Sequence, residues 1–393
     1  MLSQIIAVTS VNIRSMGERL GSSAVAVFGI VGVVIVLVGV LSIAEGFRSA
    51  MQTTGDEDTV MVMRSGADSE MTSGLSGEHA TLVGDKPGIM RDANGPLASP
   101  ELLVIVAHPL KRSGTDANVP LRGVEPGAFR VHTNVKIVEG RNFQTGRNEI
   151  IAGRAATKQY AGLGVGSTVK WGENTWQVVG VFDAGGSAAE SELWCDAKVL
   201  QPAYRRGNSY QSVYAKLASH DSFTVLKDAL TTDPKLTVMV IREPEYYERQ
   251  SQTLQTVIRT VGFAIAGLMG IGAIFGAVNT MYNAVASRGR EIATLRAIGF
   301  GSIPVVISVL AEAVVLSIIG GLIGGLLAWA AFDGYQTSTM NFQTFSQVAF
   351  AFAVTPALLA RGLIYAVGMG LLGALLPAIK AARLPIVTAL RQL

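Results

Sequence analysis

The stretch AVAVFGIVGVVIVLVGVLSIA, from Ala24 to Ala44, is 21 residues long and carries no charge. At ~1.5 Å rise per residue, a helix of that length spans about 31 Å, the thickness of a hydrocarbon core. Three further apolar runs follow, at about Val257–Ala286, Ile303–Phe332 and Leu363–Ile379. The first run is longer than the apolar part of a secretion signal and lies further from the start, so it reads as a retained anchor. Of the 393 residues, 49% are hydrophobic and 16% charged, with a mean hydropathy of +0.39. Soluble domains carry roughly 25% charged residues, and the 44 glycines suit membrane helices better than soluble ones. The chain is therefore expected to be a membrane α-helical protein with four transmembrane helices.

Several functions are excluded by the same composition. A net charge of +3 is too small for nucleic-acid binding. The single cysteine, Cys195, forbids an intrachain disulfide. His79, His108, His132 and His220 show no ligand-like spacing, so no structural metal site is expected. The sequence holds no GxxxxGK[ST] phosphate loop, no HExxH and no GxSxG. Gly162–Gly166 is glycine-rich but lacks the lysine and reads as a turn. Ser167–Lys170 matches SxxK only formally and, with no companion motif, reads as part of a strand. No directly bound cofactor is expected.

Basic residues in the short connections set the expected orientation. Arg14 and Arg19 precede the first run, Arg288, Arg290 and Arg296 join the second to the third, and Lys380, Arg383 and Arg391 follow the fourth. The connection from Asp333 to Ala357 has none. Both termini and the 287–302 loop are then cytoplasmic. The resulting division is 1–22, a cytoplasmic interfacial amphipathic helix with Leu2, Ile5, Ile6, Thr9, Ile13 and Met16 mostly on one face; 23–45, the first membrane helix; and 46–253, a large extracytoplasmic α+β domain. After it come 254–286, a stalk and second membrane helix; 287–302, a cytoplasmic segment; 303–332 and 358–380, the third and fourth membrane helices around a short loop at 333–357; and 381–393, a tail.

The α+β assignment rests on β-branched or alternating runs at Thr59–Met63, Leu102–Ala107, Val135–Val138, Thr175–Phe182, Val213–Leu217 and Thr237–Ile241. Helical patches fall at Arg154–Tyr160, Ala197–Arg206 and Ser222–Leu230. The stretch Ala67–Pro100, rich in Gly, Ser and Asp, reads as loop or a mobile subdomain. Pro244–Arg259 opens a polar helix expected to run on into the second membrane helix.

The loop between the second and third runs is the most informative: SRGREIATLRAIGF, Ser287–Phe300. Ile292, Leu295 and Ile298 recur at three-residue spacing and give one apolar edge of a short helix. Arg290, Glu291 and Arg296 are left for solvent or a partner, and Gly299 suits the helix stop. This loop resembles the coupling segment of MacB/FtsX-like ABC transporter permeases, R-x-R-E-I-x-x-L-R-A-x-G, with every specified letter present through Ala297 and Gly299. Leu121–Val124, Val138–Phe143 and Trp176–Phe182 are similar to pieces of that family's periplasmic core.

The resemblance implies a permease subunit in the inner membrane, working as a homodimer with a separate ABC ATPase that binds ATP and Mg. That ATPase is expected as a separate polypeptide because only 23 residues precede the first run. Movement rather than solute would cross the bilayer: ATPase closure would shift the coupling segment and, through the stalk, the periplasmic domain. Cargo export with a periplasmic adaptor and a TolC-like outer-membrane protein is the leading expectation. FtsX-like control of a cell-wall hydrolase and LolC/LolE-like extraction of lipoproteins or lipids are the alternatives.

Two intramembrane features remain. Glu312 lies nine residues into the third run, where an ionised carboxylate costs about 2.5 kcal/mol or more unless it faces protein or water. A proton relay is one reading. A packing contact with Ser308 or a neighbouring helix is favoured, because no other acidic residue occurs in the four runs. The pairs Gly320/Gly324 and Gly321/Gly325 allow close helix approach and would permit a dimer interface.

Overall fold

The computed structural model describes residues 4–6, 8–10, 20–341 and 345–383. Much of the expected interfacial helix, including Asn12, Ile13, Arg14, Met16 and Arg19, lies outside these residues, as does Arg391. In chain order the first elements are α1 (Leu20–Thr54), β1 (Thr59–Arg64), α2 (Gly77–Gly84), β2 (Ala98–Pro109), β3 (Asp116–Val124), β4 (Lys136–Gly140), β5 (Glu149–Gly153) and α3 (Arg154–Gln159). Then come β6 (Thr168–Trp171), β7 (Asn174–Asp183), β8 (Leu193–Asp196), α4 (Ala197–Ala203), β9 (Ser212–Lys216), α5 (Ser222–Thr231) and β10 (Val238–Arg242). The chain continues with α6 (Glu243–Ser287), α7 (Gly289–Ala297), α8 (Ser302–Phe332), β11 (Gln336–Met340), β12 (Gln347–Ala351) and α9 (Pro356–Ala382).

Contacts divide the chain into a helical unit, Met1–Glu45, Val257–Tyr335 and Phe352–Leu393, and an α+β unit, Gly46–Thr256 and Gln336–Ala351. Among the described residues, α1, α6, α8 and α9 are long and apolar enough to cross a membrane. Their large side chains turn outward where lipid would cover them: Leu268, Phe275 and Ile364 are each about 70% exposed.

The glycines of α8 account for the packing of the helical unit. Both pairs are buried. A Cβ at Gly320 would stand 3.0 Å from Ile30 Cγ2, and one at Gly324 only 2.9 Å from the carbonyl oxygen of Val31, so this stripe receives α1. A Cβ at Gly321 would meet Leu363 at 2.8 Å and one at Gly325 would meet Leu359 at 3.3 Å, so the adjacent stripe receives α9. The four glycines are thus taken up within the chain, where bare backbones give dispersion contacts that larger residues would hold apart. Gly324→Leu is expected to wedge α8 from α1, lowering bundle stability by about 1–3 kcal/mol as overpacking does. The detergent-solubilised protein should then melt measurably earlier, whereas substitution at Gly272, which faces open space, should not matter.

The α+β unit is built on a mixed sheet in the order β10-β1-β9-β2-β3-β8-β5-β7-β4, with β6 also on β7. Most neighbours are antiparallel; β5–β7 and β3–β8 are parallel. Strand β2 serves two partners, β9 along Ala98–Glu101 and β3 along Leu102–Pro109. Apolar clusters lie on either side of that change of partner. One gathers Val60, Val62, Val213 and Ala215 against Val83, Leu226 and Leu230 of α2 and α5. The other gathers Leu121, Ile150, Trp176 and Val178 against Ala156 and Leu200.

Three features depart from the sequence reading. Strands β3, β5 and β8 join the expected ones. Ala67–Pro100 is not loop throughout but holds α2, whose first turn is capped by Ser76 Oγ accepting from the amide of His79. The segment 333–357, expected as a short loop, folds into the hairpin β11–β12. That hairpin belongs to the α+β unit: the Ala349 amide donates to Ser191 Oγ at 2.8 Å, and Asn118 Nδ2 donates to the Phe345 carbonyl at 2.8 Å. Phe350 also sets its ring edge-on against Phe47 at 5.6 Å.

Candidate functional site

The coupling-like run forms α7, immediately after α6. Arg288 precedes its first turn, and the Ile292 amide donates to the Arg288 carbonyl at 2.9 Å. Gly299 ends it with φ of +104°, a conformation glycine adopts without strain. The apolar edge read from the sequence is only partly used. Ile292 and Ala293 are buried, Ile292 in a cluster with Val285, Val305, Val309, Ala378 and Ala381, and Leu295 is half-buried. Ile298 is 68% exposed. Arg290 and Glu291 are exposed and Arg296 is partly so. Between α7 and α8 lies a cavity of about 200 Å³, lined by Ile292, Leu295, Val305, Ser308 and Val309 with Arg288 and Glu291.

Arg288 is buried, and its guanidinium joins two helices. Nε lies 3.1 Å from Glu291 on α7, and Nη1 lies 3.5 Å from Glu312 on α8. Both Arg288 and Glu312 are under 10% exposed. The intramembrane carboxylate therefore has a cation beside it, which offsets the cost of placing it there. Nearby, Lys380 Nζ sits 4.7 Å above the Tyr282 ring.

The α+β unit holds a second polar centre that sequence reading missed. Arg122, on β3, is buried among three carboxylates. Nη1 and Nη2 fork onto Glu70 at 2.9 and 3.0 Å, Nη1 reaches Glu101 at 2.9 Å, and Nε and Nη2 reach Glu192 at 2.7 and 2.9 Å. His132 Nε2 lies 2.7 Å from the second oxygen of Glu101, Ser212 Oγ donates to Glu70 and Trp194 Nε1 donates to Glu192. The first turns of α6 close the site: Tyr246 Oη accepts from the Glu70 amide, Tyr247 Oη pairs with Tyr214 Oη, and Glu243 accepts from the Asp56 amide at 3.1 Å.

Burial and charged neighbours pull against one another at Glu243, Glu101 and His132. Burial, helped by the Glu101 and Asp56 carboxylates and opposed by His132 and the Asp56 amide, pushes Glu243 up to about 7. Burial would also raise Glu101, yet His132 and Arg122 hold it below the usual carboxylate range. Burial would lower His132, yet Glu101 holds it above the usual imidazole range. Among the described residues, no group of His, Cys, Asp and Glu side chains is placed to hold a metal ion. The centre ties α6 to the sheet; it offers no nucleophile–base pair.

Residues 23–233 match the family described as the MacB-like periplasmic core domain, and residues 263–386 match the FtsX-like permease C-terminal family. The chain is an ABC transporter permease of the MacB/FtsX type. Among curated proteins it is 26% identical over 339 residues to the macrolide export ATP-binding/permease protein MacB 1/2 of Paracoccus denitrificans (strain Pd 1222), covering 81% of this chain and 48% of that protein. It is 27% identical over 277 residues to the pyoverdine export ATP-binding/permease protein PvdT of Pseudomonas entomophila (strain L48), covering 65% and 40%. The permease thus spans about half, or less, of the length of these relatives. Among solved structures, the periplasmic region of MacB from Actinobacillus actinomycetemcomitans aligns with a TM-score of 0.37 at 15% identity, covering 53% of this chain and 95% of that one.

The α+β unit accordingly contains most of the matched MacB-like periplasmic core domain, called the core domain below, and the protein is a multi-pass inner-membrane protein. The C-terminal family match contains α7, α8, α9 and also the β11–β12 hairpin, although the hairpin packs as part of the core domain.

Proposed function

We propose that this permease transmits the movements of a cognate ABC ATPase to its periplasmic core domain, in a dimer of permeases paired with two ATPase subunits. The observation that carries the reading is the placement of the coupling run. It forms α7 directly beyond the end of α6, and α6 is a single 45-residue helix that begins in the core domain at Glu243. At ~1.5 Å per residue, such a helix is about 67 Å long, and its backbone hydrogen bonds make it a stiff rod. A displacement imposed at Ser287 is carried along that rod. Coupling further requires that the ATPase, with ATP and Mg, bind one permease conformation more tightly than another.

The cytoplasm is the side of α7, where the basic residues of the short connections gather. Export is the favoured activity, because the names of two relatives specify export of a macrolide and of pyoverdine. Cargo would then be taken up on the periplasmic side and passed to an adaptor and an outer-membrane duct.

The test is Arg290→Ala combined with Glu291→Ala, two exposed positions on α7. Purified from membranes with its ATPase, the double variant is expected to lose permease-stimulated ATP hydrolysis more than tenfold while the core domain melts unchanged. Full binding and stimulation would remove the coupling assignment. Mass spectrometry of the co-purifying proteins tests export separately, through the adaptor and outer-membrane protein.

A further inference from the structure

We propose that Glu312 is a positioning residue for the coupling helix: through Arg288 it pins the start of α7 to α8. This deepens the coupling reading by naming what holds the coupling helix in place, and it rests on that reading only for its purpose. Gly289 stands at the first position of α7, and Gly299 and Gly301 follow its last turn, so both ends of a nine-residue helix are joined by the least restrained residue type. Such a helix can pivot unless side chains hold it. Ile292 and Ala293 supply apolar contact, which is non-directional.

Directional restraint comes from Arg288. Its guanidinium is a rigid fork, and two of its nitrogens face carboxylates on different helices, Glu291 in the first turn of α7 and Glu312 on α8. The Arg288 and Glu312 side chains are only 11% and 6% exposed, so water screens their attraction weakly. The arrangement also accounts for a carboxylate deep in an apolar helix, since a charged acceptor holds a guanidinium more strongly than a neutral one. A load applied to α7 is thereby shared with α8, a second helix besides α6.

The experiment uses the full chain in lipid nanodiscs, without ATPase, carrying a nitroxide at Thr294→Cys, an exposed position on α7. The native Cys195 is buried and does not compete for label. A second label at Ile364→Cys, 72% exposed on α9, reports the bundle. With Glu312→Gln, the label at 294 is expected to move at least twofold faster and the label at 364 to be unchanged. Removing the cation instead, Arg288→Gln, is expected to free the label at 294 at least as much, and adding Glu312→Gln to it is expected to change nothing further. Unchanged motion at 294, loosening at both labels, or additive effects of the two substitutions would each overturn the proposal. Because no ATPase is present, these outcomes are separate from those of the Arg290/Glu291 variant.

Discussion

Arg122→Met is expected to destabilise the periplasmic core domain by about 4 kcal/mol. The substitution fills similar space but leaves Glu70, Glu101 and Glu192 facing one another without the guanidinium that forks between them. Removing one member of a buried ionic group typically costs about 3–5 kcal/mol, because the remaining charges stay desolvated. Here three carboxylates are stranded, and His132 can compensate only Glu101. For a domain of this size, a loss of about 4 kcal/mol lowers the melting point by roughly 10 °C. Tryptophan fluorescence of the purified permease reads this directly, since Trp176 and Trp194 are buried in the core domain. Arg122→Lys should recover only part of the loss, as an ammonium cannot reproduce the bidentate contacts. A melting point within about 2 °C of the parent protein would show that the centre contributes little.

The second large effect is a dependence on pH. Glu243 is buried at the start of α6, and its pKa rises from the ordinary 4.5 to about 7. A carboxyl whose folded pKa is raised binds its proton more tightly when folded. Below pH 4.5 it is protonated in both states and costs nothing. Between pH 4.5 and 7 the unfolded chain ionises first, so stability falls as pH rises, and above 7 the full cost remains. A difference of that size corresponds to about 3 kcal/mol. Glu243→Gln keeps an acceptor for the Asp56 amide and removes the charge. The variant is expected to be more stable than the parent at pH 8, by up to ~3 kcal/mol, and no more stable at pH 4.5. His132, also raised, gives stability that is likewise lost with rising pH, so the parent profile keeps some slope in the variant. Parallel profiles of the two proteins from pH 4.5 to 8 would rule out the burial penalty at Glu243.

The membrane helices were legible because their signal is local. Ala24–Ala44 contains every residue needed to recognise it, and so does the spacing of Arg288, Arg290, Glu291 and Arg296. The Arg122 centre has no such local signal. Its carboxylates lie 52, 21 and 70 residues away in the chain, and only the sheet brings them together. A charged residue inside the apolar run Val119–Val124 was the one available cue. Glu312 and Arg288 are likewise 24 positions apart, so the carboxylate was visible and its cation was not. The β11–β12 hairpin was hidden by its chemistry. Gln336–Thr339 is polar throughout, and the six residues between the strands include no glycine, so neither strand alternation nor a glycine turn announced it.

That hairpin bears on how the protein can be dissected. Sixteen residues from the far side of two membrane crossings complete the folded body that begins at Gly46. Cloning 46–256 as one contiguous gene fragment would therefore yield an unfinished product, with Ser191 and Asn118 deprived of the backbone groups they bind and Phe47 of its aromatic neighbour. A faithful soluble version needs residues 336–351 spliced back through a designed tether.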